Sequence, residues 1–249
     1  MIVAKEHNIK KDEFKGKVVL VTGANRGFGL AITMDLARAG ATVVMLGRDL
    51  GSLEYAYDAV VDAGLKEPIL YPLDLEGATP ENYQELQDNL LNEFGKLDGL
   101  VHNASILGTQ MPIEQYDIKL WYSTIQINLN APFMLTQFLI PALLKSDDAR
   151  IIFLSSTVGR KARAYWGAYS VSKFGIEGFA KTLSEELEKT QISVNTVNPG
   201  KLRTEMRRKA YPAEDSSTVP LPEEKSQAII HLLSSSSPKI NGEQLTISD

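Results

Sequence analysis

Short apolar runs rich in β-branched residues alternate with longer stretches of helical period along nearly the whole chain. The first run, Lys17–Thr22, holds Val18, Val19, Leu20 and Val21 between Gly16 and Gly23, the pattern of a strand buried on both faces. From 28 to 39 the apolar positions take a helical period that stops at Gly40. The alternation then predicts strands at Ala41–Leu46, Pro68–Leu73, Leu97–His102, Arg150–Ser155, Ile192–Val197 and Gln244–Ile247. It predicts helices at Leu50–Ala63, Pro80–Phe94, Tyr116–Leu144, Trp166–Lys189 and Pro222–Leu233. Residues 1–16 read as a polar extension, 17–249 as one domain, and 201–221 as a loop inserted over the site. Ser234–Ser237 is a low-complexity patch before the last strand, and no internal repeat divides the chain.

Strands that alternate with helices imply right-handed βαβ units. The expected fold is therefore α/β: a single-domain, Rossmann-type, doubly wound parallel sheet of about seven strands with helices on both faces. The first strand-to-helix turn reads Thr22-Gly23-Ala24-Asn25-Arg26-Gly27-Phe28-Gly29. Glycines let a backbone turn tightly against a phosphate, and the following helix offers unpaired N–H groups and a positive dipole end. In this strand–turn–helix context the loop reads as a nucleotide site rather than an idle turn.

Composition narrows the classes. The chain has 249 residues, 43% hydrophobic and 23% charged, with a net charge of -5, so no global charge points to nucleic acid. It has no cysteine, which excludes disulfides and thiolate metal sites, and His7, His102 and His231 are too scattered to suggest a metal centre. The N-terminus lacks the apolar run of a signal peptide, and Phe133–Leu144 is too short to span a bilayer; a cytoplasmic location is expected.

The glycine spacing, Gly-x-x-x-Gly-x-Gly, resembles that of the short-chain dehydrogenase/reductase family, and the resemblance runs from about Lys17 to Ile247. It is nearest to uncharacterised bacterial oxidoreductases and oxoacyl-carrier reductases. The resemblance implies that Gly23, Asn25, Arg26, Gly27, Phe28 and Gly29 hold a dinucleotide and that Asp74-Leu75 meets the adenine. It likewise assigns Asn103-Ala104-Ser105 and the stretch from Pro199 and Gly200 through Leu202 to Thr204 to the cofactor. Asn128, Ser156, Tyr169 and Lys173 fall at the family's catalytic positions, with Tyr169 and Lys173 also touching the cofactor. Two departures stand out: His102 and Ser105 replace the family's Asn and Gly, and the sequence ends at Asp249 without the usual Asp-Gly-Gly. The first is expected to be harmless; the second leaves dimer and tetramer both open.

Elementary chemistry agrees with those positions. Tyr169 and Lys173 are four apart on a predicted helix and share a face, so the ammonium is expected to lower the phenol's pKa. Such a tyrosine can exchange a proton with a carbonyl or alcohol as hydride moves, while Ser156 hydrogen-bonds the oxygen. Ser155, its neighbour, is the alternative that merely satisfies backbone groups. Pro132 has no N–H to offer the Asn128 carbonyl, which is left able to hold a water; in the family a water at this asparagine links the lysine to solvent.

The second strand is followed by Gly47-Arg48 rather than the acid that binds a ribose 2′-hydroxyl, so Arg48 and Arg26 favour NADP(H) over NAD. Asp49 reads as a helix cap. Basic residues at 160–163 and 201–209, with Tyr165 and Trp166 nearby, suggest a substrate with an apolar reacting end and an anionic carrier, such as a 3-oxoacyl thioester. Ordinary solvated charge is the competing account. The expected activity is hydride transfer between nicotinamide and a carbonyl or secondary alcohol, in a homodimer or homotetramer. The alternative is a non-catalytic NADP-binding sensor on the same fold.

Overall fold

The computed structural model describes residues 1–3 and 10–248. Among the described residues eight strands form one sheet: β1 (Ile2–Val3), β2 (Val18–Thr22), β3 (Thr42–Gly47), β4 (Ile69–Pro72), β5 (Gly99–His102), β6 (Ala149–Leu154), β7 (Ile192–Asn198) and β8 (Gln244–Ile247). Their order is β1-β8-β7-β6-β5-β2-β3-β4, and every pairing is parallel. From β2 the chain winds outward through β3 and β4, then returns to β5 on the other side. A crevice therefore opens beyond the carboxyl ends of β2 and β5, where ligands of such sheets bind.

Helices cover both faces. α1 (Gly27–Arg38), α2 (Leu50–Asp62) and α8 (Glu223–Leu233) pack on one side, burying Ile32, Leu36, Leu53 and Ile229 against Val19, Val21 and Met45. α3 (Pro80–Phe94), α5 (Ala131–Leu143) and α6 (Gly167–Glu186) cover the other, where Leu86, Leu135, Leu139 and Ile176 meet Leu20, Leu100 and Phe153. Strands buried on both faces carry β-branched and apolar residues at consecutive positions, which is why the runs did not alternate. No helix among the described residues is long and apolar enough to cross a membrane.

Three local features differ from expectation. The helix read from Tyr116 to Leu144 is two: α4 (Ile118–Ile125) and α5, joined by a π-helical turn at Gln126–Asn130. Pro132 begins α5 without a donor N–H, and the turn before it widens, with Ala131 N donating to Gln126 O. The loop 201–221 contains α7 (Glu205–Ala210), capped by Thr204, whose hydroxyl accepts from Arg207 N at 3.2 Å. In the segment expected to be a polar extension, Ile2–Val3 pair with β8, and Val3 and Phe14 are buried in the core. Residues 4–9, His7 among them, lie outside the described residues.

Candidate functional site

The glycine loop leaves β2 at the crevice. Gly29 passes so close beneath Gly23 that a Cβ there would stand 2.2 Å from the Gly23 carbonyl oxygen. Gly23 itself has φ +61° and runs against Ala104, whose Cα would be 3.0 Å from an added Cβ. Both positions need glycine for close approach, and Gly23 also for its left-handed backbone. Arg26, the N-cap of α1, is extended and makes no side-chain cap, so the first N–H groups of α1 face the crevice.

The Asn103 side chain holds the loop: its Nδ2 donates to Thr22 O at 2.8 Å and Gly23 O at 3.1 Å. Thr22 Oγ1 in turn accepts from the N–H groups of Asn103 and Ala104 at 3.0 and 2.9 Å. Phe28 and Leu202 bury their side chains in the core, and Leu75 is buried on the opposite face of the sheet, so these positions can offer a ligand only backbone. Asp74 sits at a turn beyond β4 and accepts from Glu76 N at 3.1 Å. Arg26 and Arg48 are exposed at the mouth, and Asp49 caps α2 by accepting from Ser52 N at 2.8 Å. On the far lip, Gly200 N donates to Asn198 Oδ1 at 3.1 Å, Pro199 O accepts from the buried Lys225 Nζ at 3.2 Å, and Thr204 faces Gly27. Asn25 Oδ1 lies near Gly47. Two hydroxyls at the carboxyl ends of the central strands, Ser105 Oγ and Ser155 Oγ, are buried with no hydrogen-bond partner. Ser155 therefore does not satisfy a backbone group. Orphaned hydroxyls beside a cradle that any Cβ would fill fit a polar ligand lying across it.

The expected catalytic side chains converge. Ser156 follows β6 and begins a 3-10 turn (Thr157–Gly159), accepting from Val158 N at 3.4 Å. α6 carries Tyr169 and Lys173 on its buried face. Lys173 Nζ donates to Leu154 O at 2.8 Å and stands 5.6 Å from the centre of the Tyr169 ring. Burial pushes the Tyr169 phenol up to about 12, opposed by a hydrogen bond with Ser156, and drives Lys173 down to about 8, opposed by Glu177. The expectation that the ammonium lowers the phenol's pKa is thus corrected for the protein itself: desolvation dominates, and what opposes it comes from Ser156, not Lys173. Asn128 is buried in the π turn and pins a loop to α6. Its Oδ1 accepts from Ile106 N at 2.8 Å, and its Nδ2 donates to Ile106 O at 2.9 Å and Ser172 Oγ at 3.1 Å.

A cleft of about 630 Å³ opens beside Ser156, walled by Val158, Trp166 and Tyr211 and rimmed by Lys161, Arg163 and Lys201. Tyr169 lies behind the wall, its ring 5.8 Å from that of Trp166, with Leu107 and Met206 packed against the same cluster. The basic segments are mostly engaged within the protein. Arg160 turns inward to Glu177, Arg207 is paired in a fork with Glu214, and Arg208 is paired with Glu205. Arg203 donates to Val219 O and Ser217 O. Arg163 donates to Tyr211 OH at 2.8 Å and lies over the rings of Trp166 and Tyr211. No cluster of potential metal ligands occurs among the described residues.

Comparison with known proteins agrees with this geometry. Residues 17–215 match the family described as short chain dehydrogenase. The uncharacterized oxidoreductase YciK of Escherichia coli (strain K12) is 41% identical over 213 residues, which cover 86% of this chain and 84% of that one. A short chain dehydrogenase structure from Pseudomonas syringae superposes with a TM-score of 0.94 at 45% identity, covering 97% of this chain and 98% of the other. One from Shigella flexneri, complexed with NADP, does so with a TM-score of 0.91 at 39% identity, covering 96% and 98%. With the family match spanning most of its length and the Ser156, Tyr169 and Lys173 side chains assembled at the crevice, the chain belongs to the short chain dehydrogenase family.

Proposed function

We propose that this protein transfers hydride between NADP(H) and a carbonyl or secondary alcohol whose substituent is apolar. The observation that carries the reading is the pairing of Tyr169 and Lys173 in one buried pocket, with Ser156 beside it at the end of β6. A non-catalytic sensor requires neither group to be buried there, and burying both is costly.

Bound along the glycine loop, NADP(H) supplies or accepts the hydride. Arg26 and Arg48 hold the 2′-phosphate, which guanidinium groups bind through paired donors. Gly47 gives the phosphate no opposing carboxylate. Ser156 Oγ hydrogen-bonds the substrate oxygen, and the Tyr169 phenol, protonated at neutral pH, donates its proton there in reduction. Lys173, which titrates near 8, sits where it can resupply that proton. The Asn128 side chain is fully engaged, so a water relay at this residue uses its main-chain carbonyl.

Trp166, Val158 and Tyr211 give the cleft its apolar wall, which suits an apolar substituent on the reacting carbon. The thioester reading keeps Lys161, Arg163 and Lys201 at the rim, but the internal pairing of Arg160, Arg207 and Arg208 removes most of the field it relied on. Exposed Ile118, Tyr122, Phe133 and Phe174 on α4, α5 and α6 favour a homodimer or larger homo-oligomer.

The test is NADPH oxidation across a panel of ketones, aldehydes and 3-oxoacyl thioesters, with the parent and Tyr169→Phe. The parent turns over apolar carbonyls, and the Phe variant loses about 10²–10⁴-fold in kcat while retaining NADPH affinity. Tight NADPH binding with no reduction of any panel member would favour the sensor.

A further inference from the structure

α6 carries another charged side chain on the face of Lys173. Glu177 lies one helical turn on and is 5% exposed. Both of its carboxylate oxygens have partners inside the protein: Oε1 accepts from Arg160 Nε at 2.7 Å, and Oε2 from Thr196 Oγ1 at 2.5 Å. Arg160 is held as firmly, donating to Thr246 Oγ1 and Leu245 O at 2.9 Å each and to Thr196 Oγ1 at 3.3 Å. It directly follows the turn that begins at Ser156. The last residue of that turn, Gly159, abuts α6 so closely that a Cβ would stand 2.9 Å from the Lys173 carbonyl carbon. One ion pair therefore ties the turn bearing Ser156 to the helix bearing Tyr169 and Lys173, and both to β7 and β8.

A buried ion pair contributes little stability that well-packed apolar residues could not match. Its place beside the reacting groups is the more informative fact. We propose that Glu177, clamped by Arg160, is a positioning residue of the site: its carboxylate sets the charge state of Lys173 and fixes the Ser156 turn against α6. The inference rests on the reading of Tyr169 and Lys173 as the proton-handling pair.

The other groups near Lys173 do not replace Glu177 in this role. Tyr169 is a buried neutral phenol, and His102 on β5 is buried and stays neutral to about pH 3. α4 contributes Lys119 and Tyr122, both exposed, while β7 and the π turn contribute no titratable residue. Arg160 acts on Lys173 with the sign opposite to Glu177. Removing the carboxylate therefore favours the neutral amine twice, by taking away a negative charge and by leaving the guanidinium unpaired. Removing the guanidinium favours the ammonium.

The test is the titration of Lys173 in full-length protein labelled with [13C]lysine, read by NMR and assigned with Lys173→Arg. In Glu177→Gln the midpoint falls by about one pH unit or more from the parent's. In Arg160→Met it rises. In Thr196→Val, which removes a hydrogen bond and no charge, thermal stability drops and the midpoint holds. The alkaline limb of carbonyl reduction moves with the midpoint. An unmoved midpoint in folded Glu177→Gln, or equal shifts in all three variants, overturns the proposal in favour of plain packing. If Glu177→Gln does not fold, the absence of a rise in Arg160→Met overturns it. The NMR readout needs no turnover, so a protein inactive on every carbonyl would defeat the proposed reaction without deciding this one.

Discussion

Lys173 holds its amino nitrogen 5.6 Å from the centre of the Tyr169 ring while bonding the Leu154 carbonyl at 2.8 Å. The same dry pocket moves the two groups in opposite directions, the phenol up to about 12 and the amine down to about 8. Burial disfavours whichever form is charged, so each group is driven toward neutrality.

That arrangement gives stability a pH signature. Lys173 titrates near 8 in the fold against an ordinary 10.5, so between these values the unfolded chain binds more protons and stability rises with pH. Tyr169 keeps its proton up to about 12 against an ordinary 10, so its contribution falls as pH rises between those values. Urea unfolding followed from pH 7 to 11 should therefore steepen above 8 in the parent and flatten in Lys173→Met. Parallel curves would mean that Lys173 keeps its ordinary pKa.

Gly29→Ala should damage the cradle from within. The new Cβ would stand 2.2 Å from the Gly23 carbonyl oxygen and 2.5 Å from Asn103 Nδ2, and the backbone oxygen has no rotamer by which to yield. The loop must shift, at a cost of about 1–3 kcal/mol in stability and with at least about a tenfold loss of NADPH affinity. Calorimetric titration checks the affinity; an unchanged dissociation constant would place the dinucleotide elsewhere.

Arg48→Asp should lower NADPH affinity by about tenfold or more and leave NADH affinity equal or better, because an acid would then stand where the proposed reading puts the 2′-phosphate. Equal affinities for the two dinucleotides in the parent would remove the basis for an NADP preference.

His102 stacks on Phe153 at 4.4 Å and bonds Thr136 Oγ1 at 2.8 Å in full burial. It remains neutral to about pH 3 against an ordinary 6.5, so stability is lost as pH falls between those values, where the unfolded chain takes up the proton. His102→Asn, the family's own residue, should lower Tm at pH 7 through lost stacking yet flatten the acid decline, with turnover retained. A decline as steep as the parent's would assign it to carboxylates instead.

The strands and most helices were legible because doubly buried strands and one-sided helices leave different apolar periods. Ser156, Tyr169 and Lys173 were singled out through the family resemblance, since their spacing alone is common; the fold brings them together from one turn and one helix. The break between α4 and α5 was not legible, since apolar residues continue through Gln126–Asn130; Pro132 was its only local sign. α7 announces itself by Thr204 followed by Glu205, a cap signal too short to stand against a loop. The fate of the basic segments was hidden because their partners are brought in by the fold: Glu177 reaches Arg160 from α6, and Glu214 returns to Arg207 from beyond α7. Neither pairing has a periodicity to read. A two-residue strand such as β1 has none either.

That strand carries a consequence for how the molecule folds. Met1 donates to Gln244 O across 243 positions of sequence, and Ile2 and Val3 register with Thr246 and Ile247. In sequence, every other strand of the sheet lies between β1 and its partner β8. Until β8 is in place Ile2 and Val3 have no strand to pair with, and the edge at β8 closes only when the two are docked. Contacts of such long sequence separation form late and slowly. The seam between β1 and β8 is therefore expected to close last: in pulsed hydrogen exchange during refolding, the Thr246 and Ser248 amides, bound to Met1 O and Val3 O, should gain protection after those of β2 and β5.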